Sequence, residues 1–136
     1  MNNRRIILFA LLAAVLAACV DITDRDQIKN MPTDQLCEDY YFGRHPSTGT
    51  STDWPTKQKD IKKELDKRQA VMPGDWALID QGRLQVGVSE CALKAAWGYP
   101  LQISHAVTPN GESTHYTYTL TRTADVMNGK VTGFNF

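Results

Sequence analysis

Residues 87–100, GVSECALKAAWGYP, constrain the fold most strongly, because they carry signals for both ends of one short helix. Ser89 is suited to the N-cap, where its hydroxyl can accept a hydrogen bond from a backbone N–H of the first turn. Glu90 places negative charge near the positive end of the helix dipole. Gly98 suits the left-handed position after the last turn, and Pro100 prevents the helix from continuing. One broad apolar face lies between these signals: Ala92, Leu93, Ala96 and Trp97.

The first 18 residues are typical of a bacterial lipoprotein signal peptide. Arg4 and Arg5 precede an apolar run over residues 6–18, which is shorter than the roughly 20 residues of a membrane span. The run ends in Leu-Ala-Ala-Cys, which resembles the lipobox whose cysteine is lipidated. We therefore predict lipidation of Cys19; the alternative is an ordinary signal peptide that ends close to a cysteine.

The mature chain is then 118 residues, Cys19 to Phe136, which suits one domain. Val20 follows the lipidated cysteine, and the absence of an aspartate there favours the periplasmic face of the outer membrane over retention in the inner membrane. We expect residues 19–32 to be a flexible tether and residues 33–136 a single α+β domain. Without Arg4 and Arg5 the 15 basic residues become 13 against 15 acidic ones, a net charge near −2, which argues against nucleic-acid binding.

Cysteine usage predicts a disulfide. With Cys19 lipidated, Cys37 and Cys91 remain in an oxidising compartment. A bridge between them would stabilise the fold by about 4 kcal/mol if loop entropy alone is counted. The alternatives are two free thiols, or a metal site, which lacks the usual paired spacing of ligands.

Residues 33–78 are predicted to form a helical extension. Thr33 is a candidate cap for a first helix that contains Leu36 and Cys37, and a second helix is expected over about residues 55–69. Residues 73–75, Pro-Gly-Asp, begin a third short helix, which Gly82 ends.

After residue 100 the apolar period changes from 3.6 to 2, which predicts strands. Asn110-Gly111 is a hairpin signal, and it predicts pairing in which the two residue numbers sum to 221, with His105 opposite Tyr116. Asn128-Gly129 predicts a second hairpin. There the apolar pattern loses phase, so either Gly133 is a bulge that resets the phase or both faces of the sheet are partly covered.

No constellation of residues indicates catalysis. His105 and His115 suggest a metal site. However, a register in which paired residue numbers sum to 221 places these two histidines on opposite faces of the sheet. We interpret His105 as partly buried beside Tyr116. No nucleophile elbow or phosphate loop is present. We therefore predict no enzyme activity, metal, cofactor or small-molecule substrate.

The C-terminal part resembles the SmpA/OmlA/BamE-like family of small outer-membrane lipoproteins. The resemblance spans residues 79–136 and lies in four stretches: Gly82-Arg83-Leu84-x-x-Gly87-Val88-Ser89, Trp97-Gly98-Tyr99-Pro100, His115-Tyr116-Thr117-Tyr118 and Asn128-Gly129-Lys130-Val131-Thr132. It implies an ααβββ core, in which short helices pack on a three- to four-stranded antiparallel sheet.

The leading functional hypothesis is a non-enzymatic, lipid-anchored accessory protein. It would contact the membrane through its lipid and an outer-membrane or periplasmic protein complex through its domain. The alternatives are a periplasmic inhibitor or exclusion-type protein, and a lipoprotein component of a secretion or conjugation apparatus.

Overall fold

The computed structural model describes residues 26–45 and 54–136. Residues 26–30, inside the predicted tether, are helical, and Lys29 Nζ lies 3.1 Å from a carboxylate oxygen of Asp26. Residues 26–31 belong to a different unit from the residues that follow Met31. The predicted signal peptide and Cys19 lie outside the described residues.

Among the described residues from Pro32 onward, four α-helices precede the sheet. They are α1 (Thr33–Arg44), α2 (Trp54–Lys67), α3 (Trp76–Asp80), which continues from a 3-10 turn at Pro73–Asp75, and α4 (Glu90–Trp97). Helix α1 packs against both α2 and α4. The prediction that Thr33 caps α1 is wrong, because Pro32 occupies the cap position and the Thr33 hydroxyl accepts a hydrogen bond from Arg68 at 3.1 Å.

Both predicted ends of α4 are confirmed. The Ser89 hydroxyl accepts a hydrogen bond from Ala92 N at 3.1 Å and donates one to Ala70 O at 2.8 Å. Gly98 has φ 78°, and a Cβ atom there would lie 2.5 Å from the Tyr41 ring. Position 98 therefore requires glycine both for the left-handed backbone and for the close approach of α1.

The predicted α+β class is confirmed. The sheet is antiparallel in the order β1 (Gln102–Thr108), β2 (Gly111–Thr117), β3 (Thr123–Met127), β4 (Lys130–Asn135). The prediction that the first hairpin turns at Asn110-Gly111 is wrong, because Thr108 pairs with Gly111 and the turn is Pro109–Asn110. Each β1 residue therefore pairs two positions earlier in β2 than predicted, as His105 does with Thr114. Proline fixes φ near the value that the first central position of a type I turn needs, and this overrides the Asn-Gly signal.

The second hairpin turns at Asn128–Gly129, where both residues have positive φ, as predicted. The pairing shifts by one position between Asp125 and Val126, so β4 contains a bulge. Phe134 lies opposite Ala124 and Val131 opposite Val126. A bulge therefore resets the apolar phase, but the extra residue is Thr132, because the predicted bulge residue, Gly133, pairs with Asp125.

The core lies between the helices and one face of the sheet. The Sγ atoms of Cys37 and Cys91 are 1.98 Å apart, at disulfide distance, which joins α1 to α4. Trp97 meets Tyr118 and Phe134 in edge-on contacts, with ring centroids 5.3 and 6.1 Å away. The largest fully buried side chains are Leu36, Leu65, Ile79, Leu93, Tyr116, Val126 and Val131.

Candidate functional site

Strand β1 carries apolar side chains that the helices leave uncovered. Directly opposed residues of antiparallel strands share a face. Ile103 lies opposite Tyr116, and Val107 lies opposite Glu112. Ile103 and Val107 therefore belong to the same side of the sheet as Tyr116, which faces α4. Yet Tyr116 is 1% exposed, whereas Ile103 is 45% and Val107 87% exposed.

The cover ends because one short helix spans only part of a four-stranded sheet. Helix α4 has 8 residues, and a helix is about 10 Å wide while strands are about 4.8 Å apart. Ala124 and Val126 of β3 and Val131 of β4 are buried, but every residue from Leu101 to Val107 is exposed. We call Leu101, Ile103, His105 and Val107 the open face.

A polar cluster borders the open face where the sheet passes under α4. Lys94 Nζ lies 3.0 Å from a carboxylate oxygen of Glu90 and 3.4 Å from one of Asp34. The Tyr116 hydroxyl donates a hydrogen bond to Glu90. Only 8% of the Lys94 side chain is exposed, against 76% for Asp34. The buried ammonium is therefore paired, and one carboxylate extends into solvent.

These contacts shift the pKa values of the cluster. Burial alone would raise the pKa of Glu90, but the hydrogen bonds from Tyr116 and Lys94 outweigh it, and the pKa lies below its ordinary value. Burial would lower the pKa of Lys94, but its contacts with Glu90 and Asp34 raise it. Burial and the Glu90 carboxylate together raise the pKa of Tyr116. The cluster therefore keeps a carboxylate and an ammonium at neutral pH.

Helix α1 adds a second acidic position one turn after Asp34. Burial raises the pKa of Glu38, and the nearby Tyr99 hydroxyl only partly opposes this shift. The Tyr99 ring lies 5.2 Å from Phe42 and is half exposed. The buried hydroxyl of Tyr118 has no hydrogen-bond partner among the described residues. An acidic and aromatic surface thus lies beside the start of β1. We call it the acidic wall; it consists of Asp34, Glu38 and Tyr99.

A recess of about 250 Å³ lies at the hairpin end of the open face. It is lined by His105, Ala106, Val107, Glu112, Ser113 and Thr114. Pockets for small molecules are usually about 300–1,000 Å³ and well enclosed. This recess suits a side chain of a bound partner better than a small-molecule substrate.

The histidines are separated by the sheet. His105 hydrogen-bonds Thr114 at 3.0 Å, whereas His115 lies 2.6 Å from Asp125 on the opposite face. The prediction that His105 is partly buried beside Tyr116 is wrong, because His105 is exposed and lies opposite Thr114. Within residues 26–45 and 54–136, no group of three or more histidine, cysteine, aspartate or glutamate side chains could hold a metal ion.

The other edge of the sheet is covered by the segment that leads into α4. Gly87 N donates to Val131 O at 2.8 Å, and Val131 N donates to Val88 O at 2.9 Å. Glu90 N donates to Gly129 O at 3.0 Å. This segment therefore occupies the outer hydrogen-bonding groups of the first half of β4.

Sequence reasoning located the strand but missed the site. The alternation of Leu101, Ile103, His105 and Val107 predicts one apolar face, but it does not show whether that face is covered. The signal that could have shown the uncovered strand is the number of elements. One 8-residue helix is too short to cover a sheet of four strands. Lys94 was also missed, although a lysine four positions after Glu90 on an apolar helix is a signal for a buried ion pair.

No protein-family model, curated protein or solved structure matches the chain. The resemblance to the SmpA/OmlA/BamE-like family therefore stays a prediction. Among the described residues, no helix has the length and apolar character needed to cross a membrane.

Proposed function

We propose that this chain is a non-enzymatic protein-binding lipoprotein of the cell envelope. A lipid on Cys19 holds it at the periplasmic face of the outer membrane, and the open face contacts another envelope protein. The observation that carries the proposal is the exposure of Leu101, Ile103 and Val107 side by side on one strand. Contiguous exposed apolar side chains beside polar ones are characteristic of protein interaction surfaces.

The surroundings of the open face support a protein partner. The recess at its hairpin end accommodates a side chain, and the wall formed by Asp34, Glu38 and Tyr99 supplies charge and hydrogen-bonding groups beside the apolar strip. Interfaces between proteins combine an apolar centre with a polar rim in this way. The lipid anchor rests on the Leu-Ala-Ala-Cys sequence that ends at Cys19.

Photo-crosslinking in intact cells tests this proposal. A photoreactive amino acid replaces Ile103 on the open face or, as the matched control, Ser104, whose side chain points to the other face of the same strand. We expect a protein adduct from position 103 at several times the yield from position 104, and loss of that adduct in Cys19→Ser. Equal yields from both positions would contradict the assignment of the open face, and an adduct unaffected by Cys19→Ser would contradict the role of the anchor.

A further inference from the structure

At three of the four residues of the open face, Ile103, His105 and Val107, the backbone groups of β1 have no hydrogen-bond partner among the described residues. In an antiparallel pair, alternate residues direct both backbone groups to one neighbour and the residues between them direct theirs to the other side. Asn128 N donates to Glu112 O at 3.0 Å, so Glu112 is directed to the β3 side. Thr117 O accepts from Leu101 N at 2.7 Å, so the odd-numbered residues of β2 are directed to β1.

The register of β1 and β2 then fixes the direction of each residue in β1. Even-numbered residues of β1 lie opposite odd-numbered residues of β2 and bond them, as Ser104 does opposite His115. Ile103, His105 and Val107 therefore direct their backbone N–H and C=O groups outward. Their side chains belong to the open face, so the unpaired backbone and the exposed apolar strip coincide.

The strand is also unprotected against pairing. Natural edge strands usually carry lysine, proline or a bulge that prevents the addition of another strand. Residues 102–108, Gln-Ile-Ser-His-Ala-Val-Thr, contain no lysine, arginine or proline, and their pairing with β2 is regular.

The charges around the open face favour a cationic partner. Asp34, which is largely exposed, acts on Tyr116, the residue opposite Ile103, and Glu112 lies opposite Val107. Lys94 is buried and already paired with Glu90 and Asp34, and the Arg122 guanidinium lies over the Trp97 ring. An incoming segment therefore meets an acidic group toward each end of the apolar strip.

We propose that the partner supplies an extended segment that pairs with β1 as a fifth strand, with apolar and basic side chains alternating with small polar ones. This inference rests on the proposed function, whose docking surface it specifies. The apolar and basic side chains lie on the helix side, against Ile103, Val107 and the acidic groups. Strand addition of this kind takes affinity from the main chain and specificity from alternate side chains.

A second copy of this chain is a poorer occupant. Its own β1 would supply Ile103 and Val107 but no lysine or arginine. Pairing of two copies would also bring Asp34 and Glu112 of one copy toward the same residues of the other, and this like-charge repulsion opposes association.

The test uses two peptide probes and the mature lipoprotein in nanodiscs. One probe alternates threonine and serine with valine, lysine and isoleucine; the other has glutamate in place of lysine. We expect the lysine probe to bind at least about tenfold more tightly, because the glutamate probe meets like charges. Amide hydrogen exchange should slow at Ile103, His105 and Val107 when the lysine probe is bound, and stay unchanged in β4.

Two substitutions at one position separate the backbone from the side chain. His105→Pro removes an outward N–H that β2 does not use, and edge strands tolerate proline, so probe binding should be lost. His105→Ala keeps the N–H and should retain binding within about threefold. Melting curves of both variants check that the fold is intact, and the exchange measurement on the unmodified protein provides the test if the proline variant unfolds.

Equal binding of the two probes, or exchange that stays fast at β1, would overturn the inference. Dimers of the lipoprotein that dissociate in His105→Pro would overturn it in favour of a second copy. If position 103 crosslinks to a protein but β1 gains no protection, strand addition fails while the proposed function stands. If position 103 gives no protein adduct, the proposed function itself fails.

Discussion

The two edges of the sheet differ in almost every property that controls strand pairing. At β4, residues 87–90 bond the outer backbone groups, a bulge interrupts the ladder, and Val131 is buried. At β1, the ladder is regular, the outer groups of Ile103, His105 and Val107 are free of β2, and their side chains are exposed. One domain thus protects one edge closely and leaves the other open, which is the arrangement expected where a single edge receives a partner.

The same substitution at each edge should give the largest contrast. Val131→Asp places a charge in the core, and we expect a loss of about 3–5 kcal/mol in the free energy of unfolding, as for an uncompensated buried charge. Val107→Asp adds a carboxylate in solvent and should change stability by less than about 0.5 kcal/mol. Urea unfolding of both variants measures the difference. A cost at Val107 close to that at Val131 would show that β1 is covered.

Removal of the disulfide should have the next largest effect on stability. It should affect helix α1 more than strands β3 and β4. Replacing Cys37 and Cys91 with serine should lower the free energy of unfolding by about 2–4 kcal/mol. The bond ties α1, which carries the acidic wall, to α4. Amide exchange should therefore accelerate in α1 more than in β3 and β4. Two alkylatable cysteines in the unmodified exported protein would contradict the bond itself.

Lowering the pH should reduce the free energy of unfolding through Glu90, by less than the loss of the disulfide does. The pKa of Glu90 is below its ordinary value, so the carboxylate contributes stability above about pH 4.3 and loses it as the pH falls through the folded-state pKa. Glu38, whose pKa burial raises, acts in the opposite direction. Between about pH 6 and pH 3 a glutamate changes from its ionised to its protonated form. Over this range the midpoint of urea unfolding should depend less steeply on pH in Glu90→Gln than in the unmodified protein. Equal slopes would contradict the assigned role of Glu90.

Features set by local chemistry could be predicted from the sequence. The Ser89 cap, the left-handed Gly98 and the Asn128–Gly129 turn each depend on a few neighbouring residues, and all three are confirmed. The first hairpin is a competition between two local signals, and Pro109 determined the turn. The partner of each β1 residue differs from the predicted one by two positions. Because side chains alternate with a period of 2, every side chain is still on its predicted face.

The open face could not be predicted from alternation alone. Period 2 shows that Ile103 and Val107 share a face, but whether that face is covered depends on how many helices reach it. Their partners across the hairpin, Tyr116 and Glu112, belong to the same side of the sheet, and only the position of α4 decides that the first is buried and the second exposed. Burial here is a property of tertiary packing, which strand propensity does not specify.

The bond between Cys37 and Cys91 also makes the fold depend on the redox state of its surroundings. Cys37 precedes Cys91 by 54 positions in the chain. On the proposed route of export, the bond forms only after both cysteines have reached the oxidising periplasm. A copy held in a reducing compartment would therefore lack the covalent link between α4 and α1, the helix that carries Asp34 and Glu38.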